Sequence, residues 1–433
     1  MPARPRLLFL TQSLPFPPHT GVAGRNFNIL KQLGVEFDVD LVAFSRVNHQ
    51  VDGAARERAR DALRRVVAGV AEPTPIPSEH SVARKFWDHA RSVMTGRAYT
   101  YYEYDSPSFA SRLRTVLRTR TPELVHVDSL DLHRWLPELP PVPIACTHHN
   151  IESDLLRRQA RWFDRAPLRR YLLFQANRIE QLERDLCPRF ALNVMMSDLD
   201  AQRLLARASG AVTAVVPNGT DTAYYEPRHT ASVPGRVVFV GPTYSYANWD
   251  AVEFLLQEIW PRIRATDRST SLQLIGRAAP PDQARYDAEP GVTALGYVPD
   301  MRPPVSEARC CVVPIRIGGG TRLKILDAWA MGKAVVSTSI GCEGLEVVEG
   351  ENILVRDAPD AFAEAVLEVL RDAALRTRLE RAARRTAVET YSWSVVGQRI
   401  RSAYNELLSR PDSSSALDDA RTHRRSPPTV THA

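Results

Sequence analysis

The chain has 433 residues, 44% hydrophobic and 24% charged, the composition of a globular protein long enough for two hydrophobic cores. Its five cysteines form no C-x-x-C pair, which argues against a zinc knuckle or a disulfide framework and favours a reducing, cytoplasmic setting. The net charge of +6 is concentrated in residues 1–220, which carry about +7, so we expect this half to face a membrane surface, a phosphate-bearing substrate or nucleic acid.

Short runs rich in Val, Ile and Leu alternate with longer amphipathic segments along the chain. The first run, from residue 7, is too short for the core of a signal peptide, and no run approaches the ~20 residues that span a bilayer. The runs do not alternate apolar and polar residues, which predicts strands buried on both faces of parallel sheets. The predicted strands are 7–11, 39–44, 124–127, 143–147, 191–196, 212–216, 237–241, 272–276, 292–296, 310–314 and 334–338.

The strand–helix alternation occurs twice and predicts an α/β protein with two Rossmann-like, doubly wound domains that face each other across a cleft. Residues 217–228 contain Pro, Asn and Gly and mark the boundary between the two series. We therefore predict an N-terminal domain over 1–220 and a C-terminal domain over 221–393. Residues 410–433 are rich in Ser, Pro and charge and are expected to be disordered.

A triple glycine, 318–320, precedes a predicted helix for which Thr321 would be the N-cap. Such a turn leaves backbone N–H groups available to a phosphate, and Lys324 would add a full positive charge. Asp327, three residues later, would accept hydrogen bonds from the hydroxyls of a ribose. The competing interpretation is a plain turn followed by a surface ion pair between Lys324 and Asp327.

Polar residues follow two predicted strands of the first half. His148, His149, Asn150 and Glu152 come after the strand at 143–147, which favours a site at its carboxyl end, with His149 preferred to His148. Asn150 and Glu152 would orient His149 or close the loop, whereas a structural histidine is the alternative. A zinc site lacks a second ligand cluster at the right spacing. Asp128 would line an acceptor pocket or begin a helix.

Other patterns have two interpretations each. The D-x-D string at Asp198 holds a metal in some transferases, but Ser197 and Asp198 fit the cap and first turn of a helix better. Segments 83–93 and 155–174 mix arginines with aromatic residues and leucines. Either they rest on an anionic membrane or, as we favour here, their arginines cover a domain core. No recognised nucleic-acid module accompanies them.

Several of these segments resemble glycosyltransferase family 4, the retaining transferases of GT-B fold, and within it bacterial exopolysaccharide and cell-surface sugar transferases. The likeness spans most of residues 5–408 and is strongest in 318–345 and 237–263. It implies transfer of a sugar from a nucleoside diphosphate sugar to a glycan, lipid-linked or small-molecule acceptor, with no cofactor and no metal. It also implies a C-terminal helix at about 394–409 that returns to the first domain. The setting would be cytoplasmic, with or without peripheral contact with the inner face of an anionic membrane.

The family's two glutamates, E-x7-E, fall on Gly319 and Asp327, so the first acid is missing and the second is one methylene shorter. The resemblance implies catalytic roles for His149, Lys324 and Asp327, and an acceptor side formed by His148, Asn150, Glu152 and Asp128. It implies donor binding by Gly21, Arg25, Gly241, Gly318, Gly319, Gly320, Thr321, Arg322, Lys324 and Asp327. A sugar-nucleotide epimerase of the same architecture and a catalytically silent binding scaffold remain the alternatives.

Overall fold

The structure, a computed structural model, describes residues 3–18, 21–47, 50, 52–228, 230–320 and 322–410. The chain forms two compact units. The first contains the residues up to Val216 and those from Gly397 onward, and the second is Pro217–Val396. The tail predicted to be disordered, 410–433, lies outside the described residues from 411 onward.

The first unit is built on an all-parallel sheet, with strands in the order β3-β2-β1-β5-β6-β7-β8 and β4 paired with β2. The strands are β1 Arg6–Thr11, β2 Asp38–Ser45, β3 Gly69–Val70, β4 Thr74–Pro75, β5 Leu124–Asp128, β6 Ile144–His148, β7 Leu192–Met195 and β8 Thr213–Val215. The α-helices before the second unit are α1 Gly21–Leu33, α2 Gly53–Arg64, α3 Val82–Thr95, α4 Thr100–Glu103, α5 Pro107–Thr119, α6 Glu152–Trp162, α7 Ala166–Leu186 and α8 Asp198–Leu205.

The second unit is also built on an all-parallel sheet, in the order β11-β10-β9-β12-β13-β14. Its strands are β9 Arg236–Val240, β10 Ser271–Ile275, β11 Val292–Gly296, β12 Cys310–Val313, β13 Val335–Ser337 and β14 Leu354–Val355. The remaining α-helices are α9 Tyr246–Phe254, α10 Trp260–Thr266, α11 Pro280–Asp287, α12 Arg302–Glu307, α13 Leu323–Ala330, α14 Pro359–Arg371, α15 Ala373–Tyr391 and α16 Trp393–Ser409. The sheet order is that of a Rossmann fold.

The central strands of each sheet are buried on both faces. The sequence RLLFLT of β1 is buried from Leu7 to Thr11, and all four residues of β12 are buried. This burial explains why these strands appear in the sequence as continuous apolar runs. Every strand predicted from such a run is present. The three strands that the sequence did not predict, β3, β4 and β14, are two residues long.

Helix α16 crosses the boundary between the units, and its residues from Gly397 belong to the first unit. Within that unit, Arg401 donates to Glu36 at 2.8 Å and Asn405 donates to the same carboxylate at 2.8 Å. Tyr404 of this helix is completely buried. None of the described helices is long and apolar enough to cross a bilayer.

Candidate functional site

In the sheet of the second unit, strands are added on one side of β9 up to β11 and on the other side from β12 onward, so the strand order reverses at β9. Strands β10 and β11 lie on one side of β9, and β12, β13 and β14 lie on the other. Such a reversal leaves a crevice beyond the carboxyl ends of the two strands that flank it. Cys311 of β12 pairs in register with Val238 of β9, so the loops that follow Val240 and Val313 open side by side.

Gly241 and Gly276 end the neighbouring strands β9 and β10 and leave room for a lysine side chain. A Cβ atom on Gly241 would lie 2.6 Å from Lys324 Nζ and 2.9 Å from Asn248 Cγ. A Cβ atom on Gly276, whose φ is +136°, would lie 2.5 Å from the backbone of Gly241. At Gly276 the contact is with backbone and leaves no space for a side chain, whereas at Gly241 a side chain would displace Lys324 and Asn248. The fold thus brings two predicted donor-binding residues, Gly241 and Lys324, into contact.

Lys324 lies in the first turn of α13 with its ammonium near polar and aromatic groups. Nζ donates to Asn248 Oδ1 at 2.8 Å and lies 4.4 Å from the centre of the Phe239 ring. Asn248 in turn donates to the carbonyl of Pro242 at 2.9 Å. Burial, together with the charge of Arg322, lowers the pKa of Lys324 to about 7. Since no ion pair joins Lys324 to a carboxylate among the described residues, an incoming anion would restore its charge.

Asp327 lies one helical turn after Lys324. Its Oδ1 accepts a hydrogen bond from Thr220 Oγ1 at 2.8 Å, and the N–H of Thr220 donates to the carbonyl of Tyr391 at 2.8 Å. Burial raises the pKa of Asp327 to about 7, and the nearby charge of Asp221 acts in the same direction. In the part of the chain that is described, Lys324 and Asp327 form no ion pair with each other. The interpretation of the two as a surface ion pair therefore does not hold.

The triple glycine forms the loop that leads into α13. Arg322 turns back and donates from Nη1 to the carbonyl of Gly319 at 2.7 Å. The glycines on either side of Gly319 have φ values of +120° and +73°, where glycine is favoured. Helix α13 begins at Leu323 with Arg322 in the N-cap position, which corrects the predicted cap at Thr321. Thr321 itself lies outside the described residues.

The sequence analysis missed several polar residues at this edge of the sheet. Asn248 contacts Lys324, and buried Asp250 pairs with Arg316 at 2.6 Å. Both Asn248 and Asp250 lie near the start of α9, the helix that follows β9. In a Rossmann unit this position faces the ligand crevice, so the strand–loop–helix order would have signalled them. Thr220 had no such signal, since it is 107 residues away from Asp327 in the chain.

In the first unit, four polar side chains meet at the carboxyl edge where β1, β5 and β6 are neighbours. Asp128 ends β5, and its Oδ1 accepts from His149 Nε2 at 2.9 Å. Its Oδ2 accepts from Thr11 Oγ1 at 2.9 Å and from the side-chain amide of Asn26. Asp128 is wholly buried, whereas the His149 side chain keeps 10% of its surface exposed. Asp128 therefore holds the ring of His149 from inside the unit.

The charge state of Asp128 follows from these neighbours. Burial alone would raise its pKa, but the charge and hydrogen bond of His149, with the His126 ring 3.9 Å away, outweigh burial and hold the pKa well below its usual range. An ionised Asp128 requires a proton on His149 Nε2. Ring nitrogen Nδ1 of His149 is then the one turned away from the carboxylate.

Two further residues support the Asp128 cluster. His126 stacks on the Phe9 ring at 3.9 Å, and its Nδ1 hydrogen-bonds the hydroxyl of Tyr404 on α16. Burial lowers the pKa of His126, so this ring is neutral near pH 7. Ser129, directly after Asp128, has a φ of +145°, which a residue with a side chain rarely adopts. Such strained residues concentrate at functional sites.

Part of this chain matches a known protein family, and its fold is similar to that of solved structures. Residues 234–372, which contain the crevice of the second unit, match the family described as "Glycosyl transferases group 1". No match to a curated protein sequence is significant. The fold is similar to that of HepE from Anabaena in complex with UDP, with a TM-score of 0.64, 14% identity, and 93% of this chain and 100% of that chain covered.

The fold is GT-B.

Two further structures support this assignment. Sucrose-phosphate synthase from Thermosynechococcus elongatus has a TM-score of 0.66 at 16% identity, with 93% of this chain and 99% of that chain covered. TarM of S. aureus has a TM-score of 0.66 at 9% identity, with 94% and 99% covered. At these identities the structures establish the fold alone. Together with the matched segment, they make the chain glycosyltransferase-like.

The remaining residues that were predicted for the acceptor side of this GT-B chain follow or precede His149 in sequence but contact other partners. His148 ends β6 in the interior, with Nε2 2.9 Å from Asn193 Oδ1, and burial lowers its pKa to about 4. Asn150 donates to Glu152 Oε1 at 3.2 Å, and burial raises the pKa of Glu152 to about 8. The residue that orients His149 is Asp128, whereas Asn150 and Glu152 bind each other.

The predicted donor residues of the first unit lie at the start of α1. Gly21 is the first residue of this helix and is exposed. Arg25 is buried and donates to the carbonyl of Val216 at 2.8 Å, and burial lowers its pKa to about 10. Arg25 therefore already has a partner within its own unit. Its role in donor binding stays a prediction.

The D-x-D string belongs to α8, as the sequence indicated. Ser197 is the N-cap, its Oγ accepts from the N–H of Asp200, and Asp198 is the first residue of the helix. Within the described ranges, no group of three or more His, Cys, Asp or Glu side chains is arranged to hold a metal ion.

Proposed function

We propose that the protein is a retaining glycosyltransferase that moves a sugar from a nucleoside diphosphate sugar to a glycan, lipid-linked or small-molecule acceptor. The observation that carries the proposal is the contact of Gly241 with the Lys324 ammonium at the winding reversal of the second sheet. This ammonium has a depressed pKa and a glycine-rich loop beside it. Both features suit a diphosphate, which supplies charge to Lys324 and needs close approach to the backbone.

The second unit would hold the donor. Lys324 and backbone N–H groups at the start of α13 would bind the diphosphate, and Asp327 would accept hydrogen bonds from the ribose hydroxyls. In the transfer, the bond between the sugar C1 and the phosphate oxygen breaks, and its electron pair leaves with the diphosphate. Lys324 stabilises the negative charge that develops there. The protein supplies this charge itself, so we expect no metal requirement.

The first unit would supply His149. The acceptor hydroxyl attacks C1 on the face from which the diphosphate departs, and its proton passes to the departing phosphate oxygen. In this unit His149 would hydrogen-bond a sugar hydroxyl, with Asp128 fixing the ring and its tautomer. Gly319 stands where relatives of the resembled family carry a glutamate, so backbone groups would replace that contact with the donor sugar.

The test begins with binding. HepE was crystallised with UDP and with UDP-glucose, so these are the first ligands to titrate by calorimetry, followed by GDP-, dTDP- and ADP-sugars. Donor hydrolysis without acceptor then measures turnover. The control for Lys324→Met is Lys333→Met, because Lys333 is another lysine of the second unit whose pKa is lowered by burial, with Nζ 2.6 Å from the carbonyl of Ser306.

A transferase predicts that Lys324→Met binds donor much more weakly than wild type while Lys333→Met binds as wild type, and that wild type releases UDP from a donor sugar. Binding without any turnover across donors and acceptors would favour the silent scaffold. Conversion of a donor to its C2 epimer would favour the epimerase. If neither UDP nor any donor binds wild type, the proposal is wrong.

A further inference from the structure

Helix α3 presents its apolar face to solvent. A surface helix normally buries its apolar stripe, but the inward face of α3 carries Asp88, His89 and Ser92. Asp88 has no exposed side-chain surface and accepts from Arg84 Nε at 2.9 Å through both carboxylate oxygens. This pair lies within α3, and it neutralises the buried carboxylate on the inward face.

Polar contacts of His89 and Ser92 fix how α3 lies on α7. His89 Nδ1 is 2.5 Å from the Tyr171 hydroxyl, and Ser92 Oγ accepts from Gln175 Nε2 at 2.8 Å. Successive turns of α3 thus meet successive turns of α7, so the two helices run side by side in the same direction. Tyr171 directly follows residues 161–170, which run from the end of α6 to the start of α7, so this segment lies near His89 of α3.

The outward face of α3 is a row of large apolar side chains. Val82, Phe86, Trp87, Val93 and Met94 are between 54% and 87% exposed. At 100° per residue they occupy an arc of about 140° on one side of the helix. The arginines of this segment lie on the other side, where Arg84 and Arg91 contact buried Asp88 and Arg91 covers the ring of buried Tyr102, as our sequence-based preference expected.

The connection between α6 and α7 adds aromatic and basic residues to the same region. All residues from 161 to 170 are exposed, among them Trp162, Phe163 and Leu168. Four arginines and one aspartate lie in these ten residues. We call α3 and residues 161–170 together the apolar–basic face.

We propose that the apolar–basic face binds the surface of a bilayer that contains anionic lipid. Exposed apolar patches of this extent mark interaction sites, and the mixture of Trp, Phe and Leu with Arg and Lys matches a membrane interface. There the apolar side chains enter the acyl boundary while guanidinium groups contact phosphates. A protein partner would need complementary acidic groups around an apolar groove, whereas anionic lipids supply both at once. The proposal does not depend on the donor site.

The matched test compares Val93→Glu with Val35→Glu. Val93 is 55% exposed on the apolar–basic face, and Val35 is 59% exposed after α1 in the same unit. Both variants gain one acid at an exposed valine. The full chain is floated with vesicles of phosphatidylcholine alone or with 30% phosphatidylglycerol. We expect wild type and Val35→Glu to float only with the anionic vesicles, and Val93→Glu to bind at least ten-fold more weakly. Arg165→Gln and Arg169→Gln should each weaken binding about five-fold, with less effect in high salt.

Three results would overturn the proposal. One is that wild type does not float with anionic vesicles. Another is that Val93→Glu and Val35→Glu bind equally. The third is that wild type is a dimer that Val93→Glu dissociates, which would assign the face to a second copy. Melting temperature and UDP binding are measured on every variant. A melting temperature of Val93→Glu equal to that of wild type shows an intact fold, and UDP binding measured alongside keeps this test separate from that of the proposed function.

Discussion

Binding of a nucleoside diphosphate near Lys324 should be accompanied by the uptake of a proton from solution. In the free protein the pKa of Lys324 is about 7, because burial and the charge of Arg322 oppose its protonation. A diphosphate beside Nζ reverses that balance, and the pKa returns towards its ordinary value above 10. At pH 8.5 the ligand therefore meets a mostly neutral amine and leaves it protonated.

The size of the effect follows from the pKa. At pH 8.5 only about 3% of free Lys324 is charged, so binding should take up about one proton per ligand. From pH 7.5 to 8.5 the apparent Kd for UDP should rise about eight-fold from this group, a range in which the ligand phosphate is already ionised. In Lys324→Met the uptake and the pH dependence should both disappear.

The assay is calorimetric titration of UDP at pH 8.5 in two buffers of different ionisation enthalpy, whose heats differ in proportion to the protons taken up. Lys333→Met serves as the control and should behave as wild type. Binding heats that are equal in both buffers for wild type would refute the reasoning, because the ammonium would then be charged before the ligand arrives. Equal uptake in wild type and Lys324→Met would assign the proton to another group.

Three further predictions concern stability and geometry. Asp128→Asn should lower the free energy of unfolding by roughly 3 kcal/mol, because three donors converge on the carboxylate and the amide puts N–H groups in place of one of its oxygens. Denaturant unfolding measures this loss. The substitution should also leave His149 misoriented, which donor turnover measures. Gly241→Ala should weaken UDP binding, because the new Cβ atom displaces Lys324 Nζ and Asn248, whereas Gly53→Ala, where the nearest atom is an Arg56 nitrogen 4.0 Å away, should bind as wild type. The pKa of Asp327 is raised to about 7 in the folded protein, so this carboxyl lowers the free energy of unfolding as the pH rises from about 4 to 7. Asp327→Asn should therefore have a higher melting temperature than wild type at pH 8, and the difference should be smaller at pH 5. The same substitution should weaken UDP binding.

The sequence was sufficient for the fold because parallel strands buried on both faces leave continuous apolar runs. The runs of β1 and β12 illustrate this. The order of strands, loops and helices then placed the glycine-rich loop and His149 after strands, where Rossmann sheets bind ligands. A one-residue error at the start of α13 arose because Arg322, not Thr321, occupies the N-cap position without a capping side chain.

The sequence did not predict which side chains from distant parts of the chain contact each other. Asp128 was considered for an acceptor pocket or a helix start, but the neighbouring carboxyl ends of β5 and β6 make it the residue that orients His149. Thr220 bonds to Asp327 only because the chain folds back over 107 residues. No local pattern encodes such pairs.

The sequence by itself determined which segments become strands and helices and where glycine lets backbone approach a ligand, because these depend on local apolar pattern and on single-residue conformational freedom. The tertiary structure alone decided the charge states of Lys324 and Asp327, since a pKa depends on burial and on neighbours distant in sequence. It also decided which side of α3 meets solvent. An amphipathic pattern has two faces, and only the polar contacts of Asp88, His89 and Ser92 select the one that packs inward.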